Sequence, residues 1–213
     1  MNIYYVLGGV FILLLLWALG SYLVVRSVEQ PSYKVIEKRD GYEIRQYEPY
    51  IIAETEVSGT YGQATSSGFS IIADYIFGNN TSQSKISMTA PVVESSSEKI
   101  AMTTPVINTL LDEKTRVVSF ILPSEYTLET LLKPNNDRVT LREIPALKIA
   151  AHRFTWYANA ERVENKKTLL KNALQRDGIT IKGDTQVAQY NPPLSMPLIL
   201  RNEILIPIDY ITQ

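Results

Sequence analysis

The chain has 213 residues, of which 45% are hydrophobic, and a formal net charge of −1. It contains no cysteine, which excludes disulfides, thiolate metal sites and cysteine nucleophiles. Lysine and arginine are interspersed with aspartate and glutamate, so the sequence lacks the basic stripe that nucleic-acid binding requires.

The N-terminal segment, residues 3–25, carries no charged side chain. It is long enough to cross a hydrocarbon core of roughly 30 Å, so it predicts a transmembrane anchor over residues 1–26. A cleavable signal peptide is the alternative, because residues 18–20 resemble a small-x-small cleavage site, although no Lys or Arg precedes the apolar run. Tyrosines lie near both ends of the segment, as interfacial aromatics do: Tyr4, Tyr5 and Tyr22.

Basic residues follow the apolar segment and none precedes it. The positive-inside tendency therefore favours a single-pass membrane protein with its domain in the cytoplasm, although large domains translocate largely regardless of such charges. The remaining sequence divides into a polar linker at residues 27–32, a domain at residues 33–208 and a short tail at residues 209–213. A domain of this length can bury its own core.

The first half of the domain has the pattern of strands followed by a helix. Residues 33–47 alternate around Asp40 and Gly41, which predicts a β-hairpin, and residues 50–57 alternate again as a further strand. Residues 64–77 then place apolar side chains at helical spacing. Because glycine and asparagine follow directly, the spacing predicts a helix that ends there.

One phrase occurs twice, at residues 85–93 and again at residues 99–107. Each copy is a short run of β-branched and apolar residues, and a polar stretch separates them, so the pattern predicts a second hairpin. Pro91 and Pro105 lack a backbone donor and should each mark a strand end, a bulge or an edge.

The second half repeats the order of the first. Aligning Pro145 with Pro49 superimposes residues 147–154 on the strand at residues 51–58, and a helix follows in both halves. In the second half, Asn159 is the predicted N-cap of that helix. Further strands are predicted at residues 116–122, 139–144, 185–190 and 199–206.

The two halves therefore each have a β-α-β-β order. Neither amphipathic helix can bury its apolar stripe alone, so both should pack on a shared sheet. The expected fold is α+β: a curved antiparallel sheet or distorted β-barrel of two pseudo-symmetric halves with two main helices, preceded by one transmembrane helix.

No catalytic constellation is recognisable in the sequence. It has no Gly-rich phosphate loop, no His-Glu-x-x-His and no nucleophile elbow, so we expect a protein that is not an enzyme. His152 is the only histidine and could ligate a haem iron, but a lone histidine on a strand is more often hydrogen-bonded and partly buried. The methionines could ligate iron or line a pocket, whereas packing is their commoner role: Met88, Met102 and Met196.

Several separated motifs together resemble the SOUL family of haem-binding proteins. They lie in the family's order at residues 42–49, 68–80, 86–92, 100–106, 151–154 and 190–204, so that the resemblance covers about residues 33–208.

The resemblance implies a distorted β-barrel that binds haem or a related porphyrin non-covalently, in an apolar cleft beside the first helix of the domain. His152 does not fall on a recognisable ligand position of the family, so its role as an iron ligand is a hypothesis. Arg201 or Lys85 could pair with the propionates. The residues of this chain expected to contact the ligand are Phe69, Ile72, Tyr75, Ile76, Met88, His152 and Arg201.

Two functional hypotheses remain open at this point. The favoured one is a membrane-tethered haem or tetrapyrrole-binding protein that acts as a carrier, buffer or sensor without turnover. The alternative is a binding module for another hydrophobic small molecule or for a protein partner, which the lack of an evident strong axial ligand favours.

Overall fold

The computed structural model of the protein describes residues 3–81, 97–112, 114–192 and 194–211. It begins with helix α1 (Ile3–Arg26), which covers the predicted apolar segment. The helix is long and apolar enough to cross a membrane, a test that a signal sequence would also pass. Nearly all of its side chains are exposed, so the rest of the protein leaves its apolar faces uncovered.

Within the described residues, ten strands form one antiparallel sheet that curls into a half-barrel. They pair in the order β1-β2-β9-β12-β11-β5-β6-β3-β8, and β10 pairs with one end of β12. A separate two-stranded sheet joins β4 to β7. The bounds are β1 (Tyr33–Arg39), β2 (Tyr42–Tyr47), β3 (Tyr50–Ser58), β4 (Asn80–Thr81), β5 (Val106–Leu110), β6 (Thr115–Ile121), β7 (Lys133–Pro134), β8 (Thr140–Ile144), β9 (Leu147–Phe154), β10 (Thr180–Ile181), β11 (Gln186–Gln189) and β12 (Asn202–Asp209).

Two helices pack on this sheet, α2 (Tyr61–Ile76) and α3 (Ala160–Arg176). The first half of the domain runs β3-α2-β5-β6 and the second runs β9-α3-β11-β12, and β5 pairs with β11 where the halves meet. Strands also pair between the halves: β2, which precedes the first half, pairs with β9 of the second, and β8, which precedes the second half, pairs with β3 of the first. The predicted α+β class with two related halves is confirmed.

The helix ends follow from local chemistry. Asn159 caps α3, since its Oδ1 accepts a hydrogen bond from the backbone N–H of Arg162 at 2.8 Å. At the start of α2, the backbone N–H of Thr60 donates to Oε1 of Gln63 at 3.3 Å. Glycine follows the last turn of each helix with a positive φ, 127° at Gly78 and 66° at Gly178, as expected from the sequence.

The core divides into two main clusters, one beneath each helix. Ile72 of α2 packs over the strand residues Val118 and Phe120, and Leu170 of α3 packs over Ile204 and neighbouring side chains of β12. This arrangement puts each apolar stripe against its own half of the sheet. The region between the helices, above the pairing of β5 with β11, is left for other contacts.

The predicted hairpin of the repeated phrase is not observed as such. The first copy lies outside the described residues, and within the second copy the strand begins only at Val106. Residues 97–105 instead bond outside any strand ladder: the N–H of Ile100 donates to the carbonyl of Ile76 at 2.9 Å, and the hydroxyl of Thr103 donates to the carbonyl of Ile121. The prediction was wrong there because hydrogen bonds to α2 and to β6, made outside any strand ladder, hold these residues in place.

Candidate functional site

An apolar groove lies where the first turns of α2 and α3 approach each other above the ends of β5 and β11. Its volume is about 780 Å³. Among the described residues that line it, none is charged, and the polar groups are hydroxyls and amides. The main apolar walls are Tyr61, Phe69, Val106, Tyr157, Pro192 and Leu200.

Phe69 and Tyr157 present aromatic rings from opposite sides of the groove. Phe69 is 37% exposed and lies on Phe120, with ring centroids 5.2 Å apart, so its position is fixed from beneath. Tyr157 directly precedes the capping segment of α3 and is 49% exposed. Both rings remain accessible to a flat apolar ligand.

Tyr61, in the first turn of α2, also lines the groove. Its hydroxyl is buried and has no hydrogen-bond partner among the described residues. Burial raises the pKa of Tyr61 to about 12, against a small opposing effect of Arg116, whose guanidinium lies 5.3 Å from the ring centroid. A buried hydroxyl without a partner is costly, so a ligand acceptor that reached it would gain a hydrogen bond.

Positive charge accumulates behind Tyr61. Arg116 donates to Asn108 Oδ1 at 3.3 Å, and its Nε has no partner within the part of the chain that the structure describes. Lys167 of α3 is buried and its amine lies 3.7 Å from the exposed carboxylate of Glu164. Burial lowers the pKa of Lys167, Glu164 opposes this, and the charge of Arg116 lowers it further. Lys167 is therefore paired with an exposed carboxylate, and Arg116 donates to an uncharged amide.

Three residues expected in the cleft lie instead in the core. Ile72, Tyr75 and Ile76 are almost fully buried, and the Tyr75 hydroxyl donates to the carbonyl of Leu132 at 2.8 Å. They occupy the last turns of α2, whereas the groove lies along its first turns, up to Phe69. Of the expected helix residues, only Phe69 reaches the groove.

His152 also lies away from the groove. It is on β9 opposite Ile204, and its Nδ1 is 2.5 Å from the carbonyl oxygen of Gly41. Its Nε2 is buried and has no partner in residues 3–81, 97–112, 114–192 and 194–211. The structure therefore places the imidazole between strands, where it joins β9 to the first hairpin.

Arg201 lies on the other side of the sheet from the groove. Leu200 and Asn202 line the groove, so alternation along the extended segment that leads into β12 directs Arg201 and Glu203 to the opposite face. There the guanidinium of Arg201 lies 3.8 Å from the centroid of the Tyr190 ring and 2.9 Å from Glu203. Met88 and Lys85 lie outside the described residues.

Glu203 is the centre of this opposite-face cluster. It is fully buried, and it accepts hydrogen bonds from Arg45 at 2.7 Å and from the Tyr190 hydroxyl at 2.8 Å. Burial alone would raise the pKa of Glu203, but the hydrogen bond and charge of Arg45, with the charge of Arg201, outweigh it and lower that pKa. With its charges paired, the cluster is a structural element.

Sequence reasoning missed several groove residues, among them Tyr61, Tyr157 and Leu200. The internal repeat contained the necessary signal, because it placed the two helix starts in equivalent positions. Two related helices on one sheet bring their N-terminal turns together at the axis between the halves.

The chain matches the family described as SOUL heme-binding protein over residues 28–207. It is 28% identical to Heme-binding protein 2 of Homo sapiens over 190 residues, which cover 84% of this chain and 85% of that protein. It is 27% identical to Heme-binding protein 2 of Mus musculus, over 72% of this chain and 73% of that protein.

Two solved structures share the fold at low sequence identity. One is the C-terminal domain of EcmrR, with a TM-score of 0.59 and 9% identity over 84% of this chain and 99% of that one. The other is a hydrolase from Listeria innocua, with a TM-score of 0.52 and 11% identity over 82% of this chain and 94% of that one. These likenesses concern the fold alone.

Proposed function

Because the chain belongs to the SOUL family of haem-binding proteins, we propose that it is a membrane-anchored protein that binds haem or a related tetrapyrrole non-covalently. It would act as a carrier, buffer or sensor, without catalytic turnover of its own. The observation that carries the proposal is the uncharged, apolar groove between α2 and α3.

The groove suits a large, flat apolar molecule. Its volume of about 780 Å³ lies within the range of ligand sites, roughly 300–1,000 Å³. Phe69 and Tyr157 supply ring faces, and Leu200 supplies an aliphatic wall. Bound haem would supply the redox and ligand-binding chemistry of its iron, and the groove residues would supply apolar contact to the macrocycle.

No histidine or methionine is among the described residues that line the groove. Tyr61 carries a phenol hydroxyl, which is protonated at neutral pH because tyrosine has a pKa of about 10 or higher, so it is suited to donate a hydrogen bond. We therefore infer that apolar contact, more than iron ligation, provides the affinity.

The cations behind Tyr61 suit a ligand that carries carboxylates. Lys167 is paired with the exposed carboxylate of Glu164, and Arg116 donates to the uncharged Asn108 amide, so a ligand carboxylate near them would gain charge-assisted hydrogen bonds. We infer that they attract the propionate side of a porphyrin. This assignment replaces Arg201, which is already paired with Glu203 on the opposite face.

Helix α1 would retain the protein at a membrane, with the domain on the cytoplasmic side. Its length and apolar composition support this, and the basic residues that follow it favour that orientation. Mass spectrometry of the N-terminal peptide of the mature protein separates a retained anchor from a cleaved signal peptide. Recovery of a chain that begins after residue 20 would contradict the anchor.

The test of haem binding is a haemin titration of the full chain in lipid nanodiscs, followed in the Soret region against empty nanodiscs. Phe69→Ala should weaken saturable one-to-one binding severalfold, because the ligand would cover the exposed 37% of a side chain whose full burial is worth about 1.5–3 kcal/mol. The matched control is Phe77→Ala, since Phe77 ends the same helix, is exposed and does not line the groove. Equal affinities for the two variants would contradict the groove as the site.

The same titration tests the proposed iron ligand His152. Because its ring is held between strands, His152→Ala should leave the Soret maximum of the bound haem unchanged. A shifted maximum at unchanged stoichiometry would instead make His152 the axial ligand and move the site away from the groove.

A second candidate is a binding module for another hydrophobic small molecule. It is favoured by a groove whose described lining has neither iron-ligating imidazole nor thioether. Failure of both haemin and metal-free protoporphyrin to saturate the protein would favour this candidate. Equal affinity for the two porphyrins would favour the apolar mode of tetrapyrrole binding.

A further inference from the structure

We propose that the domain docks on the lipid bilayer beside α1 through an uncharged surface formed by Trp156, Tyr157, Leu194 and Leu198, the docking surface. The inference rests on the proposed membrane anchor. The domain would then contact the bilayer directly as well as through its linker to α1, and the mouth of the groove would lie at the membrane.

Direct contacts join α1 to the loop that carries this surface. The indole N–H of Trp17 donates to the carbonyl of Leu194 at 2.9 Å. The backbone N–H of Met196 donates to the hydroxyl of Ser21 at 3.0 Å, and Ser21 is buried by this packing. The loop therefore lies alongside the apolar helix, not beyond its end.

The positions of these contacts give the depth of the loop. At about 1.5 Å per residue, a core of about 30 Å that begins at Ile3 ends near Leu23. Trp17 then lies about 9 Å inside that face, and Ser21 lies about 3 Å inside it. Interfacial elements insert about 5–10 Å, so Leu194 would lie at the depth typical of them.

The composition of the docking surface suits that depth. Its two segments, residues 155–160 and 190–200, contain no charged residue. Leu194 is 88% exposed and Leu198 is 62% exposed, while Trp156 is 43% exposed. Leucines would enter the acyl region, and tryptophan and tyrosine prefer the headgroup level.

Hydrogen bonds fix the backbone conformation of Trp156. It has a φ of 72°, a conformation that costs free energy for a bulky residue. Its backbone N–H donates to the carbonyl of Pro197 at 3.0 Å, and its carbonyl accepts from Asn202 Nδ2 at 2.8 Å. These bonds join the two segments into one rigid surface.

The docking surface is continuous with the groove. Tyr157 belongs to both, and the loop with the exposed leucines is flanked by Pro192 and Leu200, which line the groove. A bilayer that covers the docking surface would therefore meet the mouth of the groove. An apolar ligand dissolved in the membrane could enter without crossing water.

The test uses the full chain in phosphatidylcholine vesicles that contain a spin-labelled phosphatidylcholine as quencher. Because the chain has no cysteine, single-cysteine variants can each carry one environment-sensitive fluorophore. Leu198→Cys, with Leu194→Cys as a second variant, reports on the docking surface. Leu111→Cys is the matched control, an exposed leucine beyond the end of β5 that lies away from the groove. Leu13→Cys reports on α1.

We expect the labels at Leu198, Leu194 and Leu13 to be quenched several-fold more strongly than the label at Leu111. If the Leu13 label is quenched and both loop labels behave like the Leu111 label, the anchor stands and the docking surface is refuted. If the Leu13 label is also unquenched, the membrane anchor itself fails and the docking surface falls with it.

Discussion

Two glycines of α2 offer a test of how closely this helix packs on the sheet. A Cβ on Gly68 would lie 2.5 Å from both Cβ and Cγ2 of Val118, closer than real side-chain contacts allow. A Cβ on Gly62, in the first turn of the same helix, would meet nothing within 4 Å. The same substitution should therefore have opposite effects at the two sites.

The magnitudes follow from two opposing effects. Replacing glycine by alanine within a helix stabilises it by up to about 1 kcal/mol. Overpacking a close contact costs about 1–3 kcal/mol, and here the neighbouring atoms include a Cβ that cannot rotate away. Gly62→Ala should thus raise the free energy of unfolding by about 0.5–1 kcal/mol, and Gly68→Ala should lower it by about 1–2 kcal/mol.

Urea unfolding of the full chain in detergent, followed by circular dichroism, measures both variants under identical conditions. A further variant, Gly68→Ala combined with Val118→Gly, removes the clashing atoms. Compared with Val118→Gly alone, it should no longer show the loss. If Gly68→Ala is as stable as Gly62→Ala, the close approach of α2 to β6 is wrong, and with it the position of Phe69 at the groove.

Three further substitutions test the buried polar groups. Glu203→Gln should lower the free energy of unfolding by about 3 kcal/mol, measured in urea, because the buried Arg45 then keeps only the carboxylate of Glu43 and the half-buried Arg201 loses its own. Folding lowers the pKa of Glu203 below its usual value of 4.5, so the contribution of this carboxylate to the free energy of unfolding is present above pH 4.5. It is lost as the pH falls through the folded pKa. Acid unfolding of the Glu203→Gln variant should not show this loss of stability. Lys167→Met should raise the melting temperature of the free protein, because it removes a desolvated charge, yet it should weaken binding of a dicarboxylate porphyrin. Unchanged porphyrin affinity would contradict the proposal that the cations behind Tyr61 attract the propionates. Tyr61→Phe should stabilise the free protein by about 1 kcal/mol in the same urea assay, because it removes a buried hydroxyl that has no partner within the described residues, and a loss of stability would show that this hydroxyl is satisfied.

Local sequence was sufficient wherever the chain's own periodicity and caps decide the structure. The apolar run became α1, Asp40 and Gly41 became the turn of the first hairpin, and Asn159 became the N-cap of α3. The repeat from Pro49 and Pro145 onwards also predicted the two related halves. Apart from the repeat, each of these features depends on residues that are near one another in the sequence, so the local pattern contained the information needed.

Tertiary contacts decided the rest. Residues 99–105 have the composition of a strand, but hydrogen bonds to the end of α2 and to β6 take the place of ladder pairing. Ile72, Tyr75 and Ile76 share the apolar stripe of Phe69, yet only Phe69 lies near enough to the N-terminus of the helix to reach the groove. A helical period identifies an apolar face; it does not determine how far along that face the neighbouring helix reaches.

Which face of the sheet holds the charged residues also depends on tertiary structure. The sequence by itself determined that Leu200 and Arg201 point to opposite faces of an extended segment, since successive side chains alternate. Only the tertiary structure decided which face becomes the groove and which holds the buried Glu203 cluster, because that choice depends on where α2 and α3 pack. The pairing of β5 with β11 brings the helix starts together, and distant residues thereby form one site.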